Sequence, residues 1–254
     1  MRVASVSRRR NLLVGWPLAA LAIVAFVSLG VWQSRRAVEK QAMLDAAAQV
    51  LAQRQPVPLL QASDPGRARS YDWTVGTGSF SRAQPLLLDN QMRGGRPGVR
   101  VYRVFYPDAP LPYTLVGDAL LIDMGWLPLA GDRTLPKVGF PVSNRIEVRG
   151  LLAPPPSTGL ALGAGIVRQE DAWLLTRIDL AAIGQVVNGT RRLTLAPRVL
   201  RLDPSMPLGF ERDLDVLPNT LPPERHRAYA WQWFALALAV LATALILTFR
   251  KPKP

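Results

Sequence analysis

Two uninterrupted apolar runs stand near the two ends of the chain. LLVGWPLAALAIVAFVSLGVW, Leu12 to Trp32, holds 21 residues without a charge, and YAWQWFALALAVLATALILTF, Tyr229 to Phe249, holds another 21. A helix rises roughly 1.5 Å per residue, so each run reaches about 30 Å, the thickness of a bilayer's hydrocarbon core. The pattern predicts two membrane-spanning helices.

Beyond the first run the pattern stays helical but turns amphipathic. Ser34 to Gln55 is rich in strong helix formers, and Val38, Met43, Ala46, Ala47, Val50 and Leu51 recur near helical spacing. The first helix is therefore expected to leave the membrane and run to about Arg54, ended by Pro56 and Pro58.

From Tyr71 the period shortens. YDWTVGTGSF, QPLLLDN, GVRVYRVFY, DALLIDMGWLPL, RIEVRGLLA, DAWLLTRI and APRVLRLD each read as strands between turn residues. Arg145, Glu147 and Arg149 interleave with Ile146 and Val148, the mark of a strand with one wet face in an antiparallel sheet. LAAIGQVV reads as one short helix, with Asp179 as its N-cap and Asn188-Gly189 closing it.

The predicted fold is thus two transmembrane helices flanking an α+β domain dominated by antiparallel strands, a twisted sheet or small barrel. The segments are a basic tail (1–11), a span (12–32), its helical extension (33–55), the α+β domain (56–224), a second span with its outer rim (225–249) and a second basic tail (250–254). Three stretches are candidate functional loops: QMRGGRPG (91–98), PPPSTGLALGAG (154–165) and MPLGFERDLDVLPNTLPPE (206–224).

Charge adds orientation. Arg2, Arg8, Arg9 and Arg10 precede the first span, and Arg250, Lys251 and Lys253 follow the second, with no acid in either tail. Both tails are expected to stay cytoplasmic, which puts the central domain in the periplasm of a bacterium and the chain in the inner membrane. The stretch SRRRNLL looks like a twin-arginine export signal. Its apolar core is too long, however, and GVWQ is a poor cleavage site, so the first span reads as an uncleaved anchor. The net charge is +13, of which the tails hold seven cations; the remaining +6 is no nucleic-acid footprint, and the tail cations suit lipid headgroups.

Composition narrows the chemistry. With no cysteine there is no disulfide, thiolate metal site or cysteine nucleophile, and with one histidine no multi-histidine metal site within a monomer. GTGSF and GLALGAG lack dinucleotide or phosphate-loop spacing, and no G-x-S-x-G elbow exists for a hydrolase.

What remains lies at the membrane edge. Pro222 and Pro223 fit a helix start with Thr220 as cap, which places His226 in the first turns of the second helix. On a helical wheel His226, Tyr229, Ala230, Trp233, Ala237 and Ala244 share one face. Ala235, Ala239 and Thr243 form a small-residue seam opposite, suited to meet the first span or, equally, a partner. Gln33, Arg36 and Lys40 are expected to form one polar stripe outside the first span, beside Trp32. An aromatic belt accounts for the tryptophans; the rim histidine reads either as structural or as a haem-iron ligand, with arginines meeting haem propionates.

The chain resembles the surfeit locus protein one family, assembly factors of haem–copper cytochrome oxidases, over nearly its whole length. The resemblance rests on LGVWQSRR with Lys40, DNQMRGGRPGVRVYRVF, LLIDMGWLP, DAWLLTRIDLAAIG and LPPERHRAYAWQWFALA. It implies a non-enzymatic factor that helps haem a enter oxidase subunit I, working with the haem a synthesis machinery. His226 would then be the axial ligand, Tyr229 and Trp233 would pack the porphyrin, and Arg36 or Arg225 would meet a propionate. Trp32, Gln33, Lys40, Ala235, Ala239 and Thr243 would serve interfaces. Two positions depart from the family pattern: its Asn-Arg-Gly-Trp stands here as Asp123-Met124-Gly125-Trp126, and its Thr-Pro as Arg103-Val104. The competing expectation is a structural protein that holds oxidase subunits and binds no cofactor.

Overall fold

The computed structural model describes residues 2–108, 119–139, 145–156, 165–187, 194–217 and 220–250, with backbone alone for 2–12. The proposed helix stop at Asn188-Gly189, most of the 154–165 loop, residues 218–219 of the return loop and the last four residues lie outside that set. Two compact units result: Met1–Met43 with Thr220–Pro254, and Leu44–Asn219.

The first unit holds the two apolar helices. Helix α1 (Arg2–Gln53) begins before the predicted span and continues without a break into the second unit. It stops where Arg54 turns to φ 45°, two residues before Pro56. Helix α2 (Leu180–Val187) lies in the second unit, and α3 (Pro223–Phe249) returns to the first. Both α1 and α3 are long and apolar enough to cross a membrane. The cap of α3 is Pro222, with Pro223 at the first helical position, where its missing N–H costs nothing. Thr220 is therefore not the cap expected from the sequence.

Among the described residues the second unit is built on nine strands: β1 (Pro56–Pro58), β2 (Asp72–Phe80), β3 (Leu86–Arg93), β4 (Arg96–Pro107), β5 (Ala119–Pro128), β6 (Ile146–Ala153), β7 (Ile166–Arg168), β8 (Trp173–Leu175) and β9 (Leu195–Leu202). They run in the order β1-β2-β6-β9-β5-β4-β3-β8-β7. An added β2–β4 pairing, Gly78 to Pro107 through Phe80 to Phe105, closes β2, β6, β9, β5 and β4 into a ring. The ring is a small barrel, antiparallel except where β5 and β9 run parallel.

Side-chain alternation makes the barrel. Val99 and Val101 of β4, Leu120, Ile122 and Met124 of β5, Val148 and Leu152 of β6, and Leu200 and Leu202 of β9 form one buried cluster, joined by Leu59 and Ala62 of a 3-10 turn. The intervening residues of the same strands, Tyr102, Val104, Leu121 and Val199, join a second cluster with Ile183 of α2. Asp179 caps α2, its Oδ1 accepting from the Ala182 N–H at 3.0 Å, as the sequence predicts. The last turns of α1 bring Ala47, Val50 and Leu51 against Tyr71, Leu151 and Ala153.

Two sequence features take shape here. QMRGGRPG is the Gly-rich turn that its sequence suggests. It is a two-residue hairpin turn between β3 and β4, with Gly94 at φ 56° and Gly95 at φ 75°, a conformation that favours glycine. Arg93 beside it pairs with Glu211 at 2.8 Å and with Asp213, so it anchors the return segment. Met124, where the family pattern has arginine, is 3% exposed among the apolar residues inside the barrel, and the other departure, Arg103, is 2% exposed and donates to the Ser81 carbonyl at 3.2 Å.

Candidate functional site

Every site residue named from the sequence falls in the helical unit. Within it α1 and α3 pack antiparallel. At one end Trp16 Nε1 donates to Thr248 Oγ1 at 3.1 Å; in the middle Phe26 stacks on Trp233 at 5.7 Å between ring centroids; at the other end Lys40 Nζ donates to the Leu221 carbonyl at 2.8 Å. On α3 the buried positions Pro223, His226, Ala230 and Ala237 follow three- and four-residue steps, with half-buried Trp233 between them. On α1 the matching positions are Gly30, Gln33, Ala37 and Lys40. Gly30 is the closest approach: a Cβ there would meet the Phe234 ring at 2.6 Å.

The expected helix faces are revised by this packing. The His226, Ala230, Ala237 and Ala244 face is the one turned to α1, because it carries the small residues the heptad-like steps bring inward. The Ala235, Ala239 and Thr243 seam is exposed and does not meet the first span; Thr243 Oγ1 donates back to the Ala239 carbonyl at 2.8 Å. The polar stripe also divides. Gln33 and Lys40 are half-buried toward α3, whereas Arg36 is exposed and pairs with Glu39 at 2.9 Å.

At the polar end of this pair sits His226, 7% exposed. Its Nδ1–H donates to Gln33 Oε1 on α1 at 2.6 Å. The other ring nitrogen, Nε2, is buried and has no hydrogen-bond partner among the described residues. Burial, and then the charges of Lys40 and Arg36, hold the ring's pKa below the usual 6.5. The ring is therefore neutral near pH 7, with a lone pair on Nε2. Lys40 is likewise lowered, by burial first and Arg36 second.

The remaining residues lie on the same two helices. Arg225 is exposed one residue before it, and Tyr229, 38% exposed, flanks the buried face. Trp233 is occupied by its stack on Phe26. Trp32 and Trp231 are exposed, as an aromatic belt requires. Sequence reasoning missed Phe26 and Gly30. Their signal was present in the spacing of 26, 30, 33 and 37, hidden because every residue of a membrane span is apolar and the helical period carries little contrast.

A neutral imidazole with one nitrogen bonded and the other bare has a lone pair that can accept a hydrogen bond or coordinate a metal. It has no partner of the kind a nucleophile needs: among the described residues its only hydrogen bond is to an amide. No group of three or more histidine, cysteine or carboxylate residues able to hold a bare metal ion occurs among them either.

Comparison with known proteins identifies the family. No curated protein matches the chain. The model of the SURF1 family matches residues 20–238, a stretch that takes in most of the first span, the barrel and His226. The chain belongs to the SURF1 family, the surfeit locus assembly factors associated with cytochrome oxidase and not known as catalysts.

Proposed function

We propose that this protein assists haem a insertion into subunit I of a haem–copper oxidase, accepting haem transiently at the outer rim of its helix pair. The observation that carries the reading is the bare, buried Nε2 of a neutral His226. A buried polar atom without a partner is costly, roughly 1–3 kcal/mol, and a bound ligand is one way to complete it. Neutral imidazole is a common axial donor to haem iron. Haem is cargo here: the protein binds and orients it, and no side chain is asked to do chemistry on it.

Other residues fit supporting roles. Arg36 and Arg225, both exposed beside His226, suit the propionates of haem, while Tyr229 and the Trp233 edge suit its apolar face. The basic tails favour a cytoplasmic position for both termini in a bacterial inner membrane, with rim and barrel periplasmic. Subunit I and the haem a synthesis machinery are then the partners.

A second reading, a structural factor that holds oxidase subunits without a cofactor, draws support from the exposed Ala235, Ala239 and Thr243 seam. Visible spectroscopy separates the two. Purified protein co-expressed with haem a synthesis enzymes is expected to carry haem, and His226→Ala to lose it. A haem-free wild type, or an unchanged spectrum in His226→Ala, overturns the haem reading in favour of the structural one.

A further inference from the structure

We propose that Gln33 is the positioning residue of this site: across the helix pair it fixes the ring tautomer of His226, so that Nε2 is the nitrogen offered to the iron. The inference rests on the haem reading for its purpose, but not for its geometry.

A neutral imidazole has one N–H, and free histidine prefers to carry it on Nε2. A site that must present Nε2 as a lone pair therefore needs an acceptor at Nδ1. Gln33 Oε1 supplies it at 2.6 Å, and among the described residues nothing competes for Nε2. The identity of the acceptor matters as well. A carboxylate at that place would draw the Nδ1 proton, give the ring imidazolate character and tighten its hold on ferric iron. An amide orients the ring without adding charge, which suits a ligand that lends haem rather than keeps it.

The bond also crosses from α1 to α3. It exists only while the two helices are packed, and Gly30, three residues before Gln33, admits the Phe234 ring that holds them close. Ligand presentation and helix pairing are thereby one property.

The chain has a single histidine, so protein labelled with ¹⁵N-histidine reports one imidazole. Full-length protein in detergent, without haem, is expected to show a protonated, pyrrole-type Nδ1 and a pyridine-type Nε2. Gln33→Leu should move the proton toward Nε2, and Gln33→Glu should keep it on Nδ1. With haem a, Gln33→Leu should bind roughly 10- to 100-fold more weakly, while Gln33→Glu should restore binding with a lower reduction potential. A wild-type ring protonated on Nε2, or a Gln33→Leu spectrum identical to wild type, overturns the proposal. If His226→Ala keeps its haem, the haem reading fails while the tautomer result stands. If His226→Ala loses haem but both Gln33 variants match wild type in tautomer, affinity and potential, the role of Gln33 alone fails.

Discussion

The barrel and the helix rim both bury polar groups, but they treat them differently. In the barrel each buried carboxylate is met by at least one guanidinium, Asp203 by Arg149 Nε at 3.0 Å. Asp72 accepts from Arg67 and Arg198, and Asp123 accepts from Arg100 at 2.8 Å with Arg201 Nε at 3.5 Å. Arg100 Nε and Arg198 Nε are unmet there, on side chains already paired with a carboxylate, and among the described residues the buried Tyr102 hydroxyl has no hydrogen-bond partner either. At the rim, His226 has one polar atom bonded and its only other one bare. Burial of charge in the barrel closes the fold; burial of the imidazole leaves an opening. The barrel's ion pairs suit a scaffold, and under the proposed reading the rim's bare nitrogen is where haem would bind.

Asp72→Ala tests that contrast most severely. It strands Arg198, whose side chain has no exposure, and releases the 3-10 turn that Arg198 also holds through the Gln61 carbonyl. Removing one partner of a buried pair costs about 3–5 kcal/mol. Denaturant unfolding of the barrel should show that loss, while His226→Ala should shift the same transition by no more than about 1.5 kcal/mol. Equal effects of the two substitutions would erase the distinction between scaffold and site.

Acid attacks the same scaffold from another direction. Burial pushes the carboxyls of Asp72 and Asp213 up, but hydrogen bonds from Arg67 and Arg198, and from Arg93, outweigh it, so both titrate below the usual carboxylate value. A folded pKa below the unfolded one stabilises the fold above the unfolded value and is lost as pH falls through the folded one. Barrel stability should thus hold down to about pH 4 and decline below it, measured by circular dichroism of the strand signal. Asp72→Ala should flatten that decline.

On the helix side the largest expected effect comes from Gly30→Val, which sets a branched side chain where the Phe234 ring lies 2.6 Å from a Cβ. Overpacking of this kind costs about 1–3 kcal/mol. The natural chain has no cysteine, so Trp16→Cys with Thr248→Cys creates a unique crosslink pair at the far end of the helices. Its yield should fall in the Gly30→Val background, with the barrel's unfolding unchanged. A fall in barrel stability instead would mean that the two regions are not separable.

The two regions also differ in how legible they were. Strand runs such as LLIDMGWLP and RIEVRGLLA alternate, so sequence locates β5 and β6 and predicts mainly antiparallel pairing. The three-residue β1 and β7 are too short for any period, and the parallel β5–β9 contact joins residues about 75 apart, beyond the reach of local pattern. The buried arginines were not legible either, because a guanidinium on a strand reads as a solvent-facing position until its carboxylate is found. At the rim, composition isolates His226 as the only imidazole, but its bond to Gln33 joins two helices 193 residues apart in sequence. Neither the open Nε2 nor the facing of the Ala235 seam follows from a wheel, since a wheel shows which residues share a face and not what that face meets.

The smallest effect is expected where sequence placed a haem contact and the structure places a surface pair. Arg36 meets Glu39 at 2.9 Å with both side chains about half exposed. Exposed pairs spaced this way on a helix contribute about 0.3–0.5 kcal/mol, screened by salt. Glu39→Gln should therefore cost no more than that in stability. For haem the sign is opposite: freeing Arg36 from its acid leaves its guanidinium available to a propionate, so Glu39→Gln should tighten haem binding slightly and Arg36→Gln should weaken it, both effects fading in high salt. Titration of haem into the two variants at low and high ionic strength reads this directly. If neither variant shows a salt-dependent change, Arg36 belongs with the scaffold's surface, and the cation of the site is Arg225.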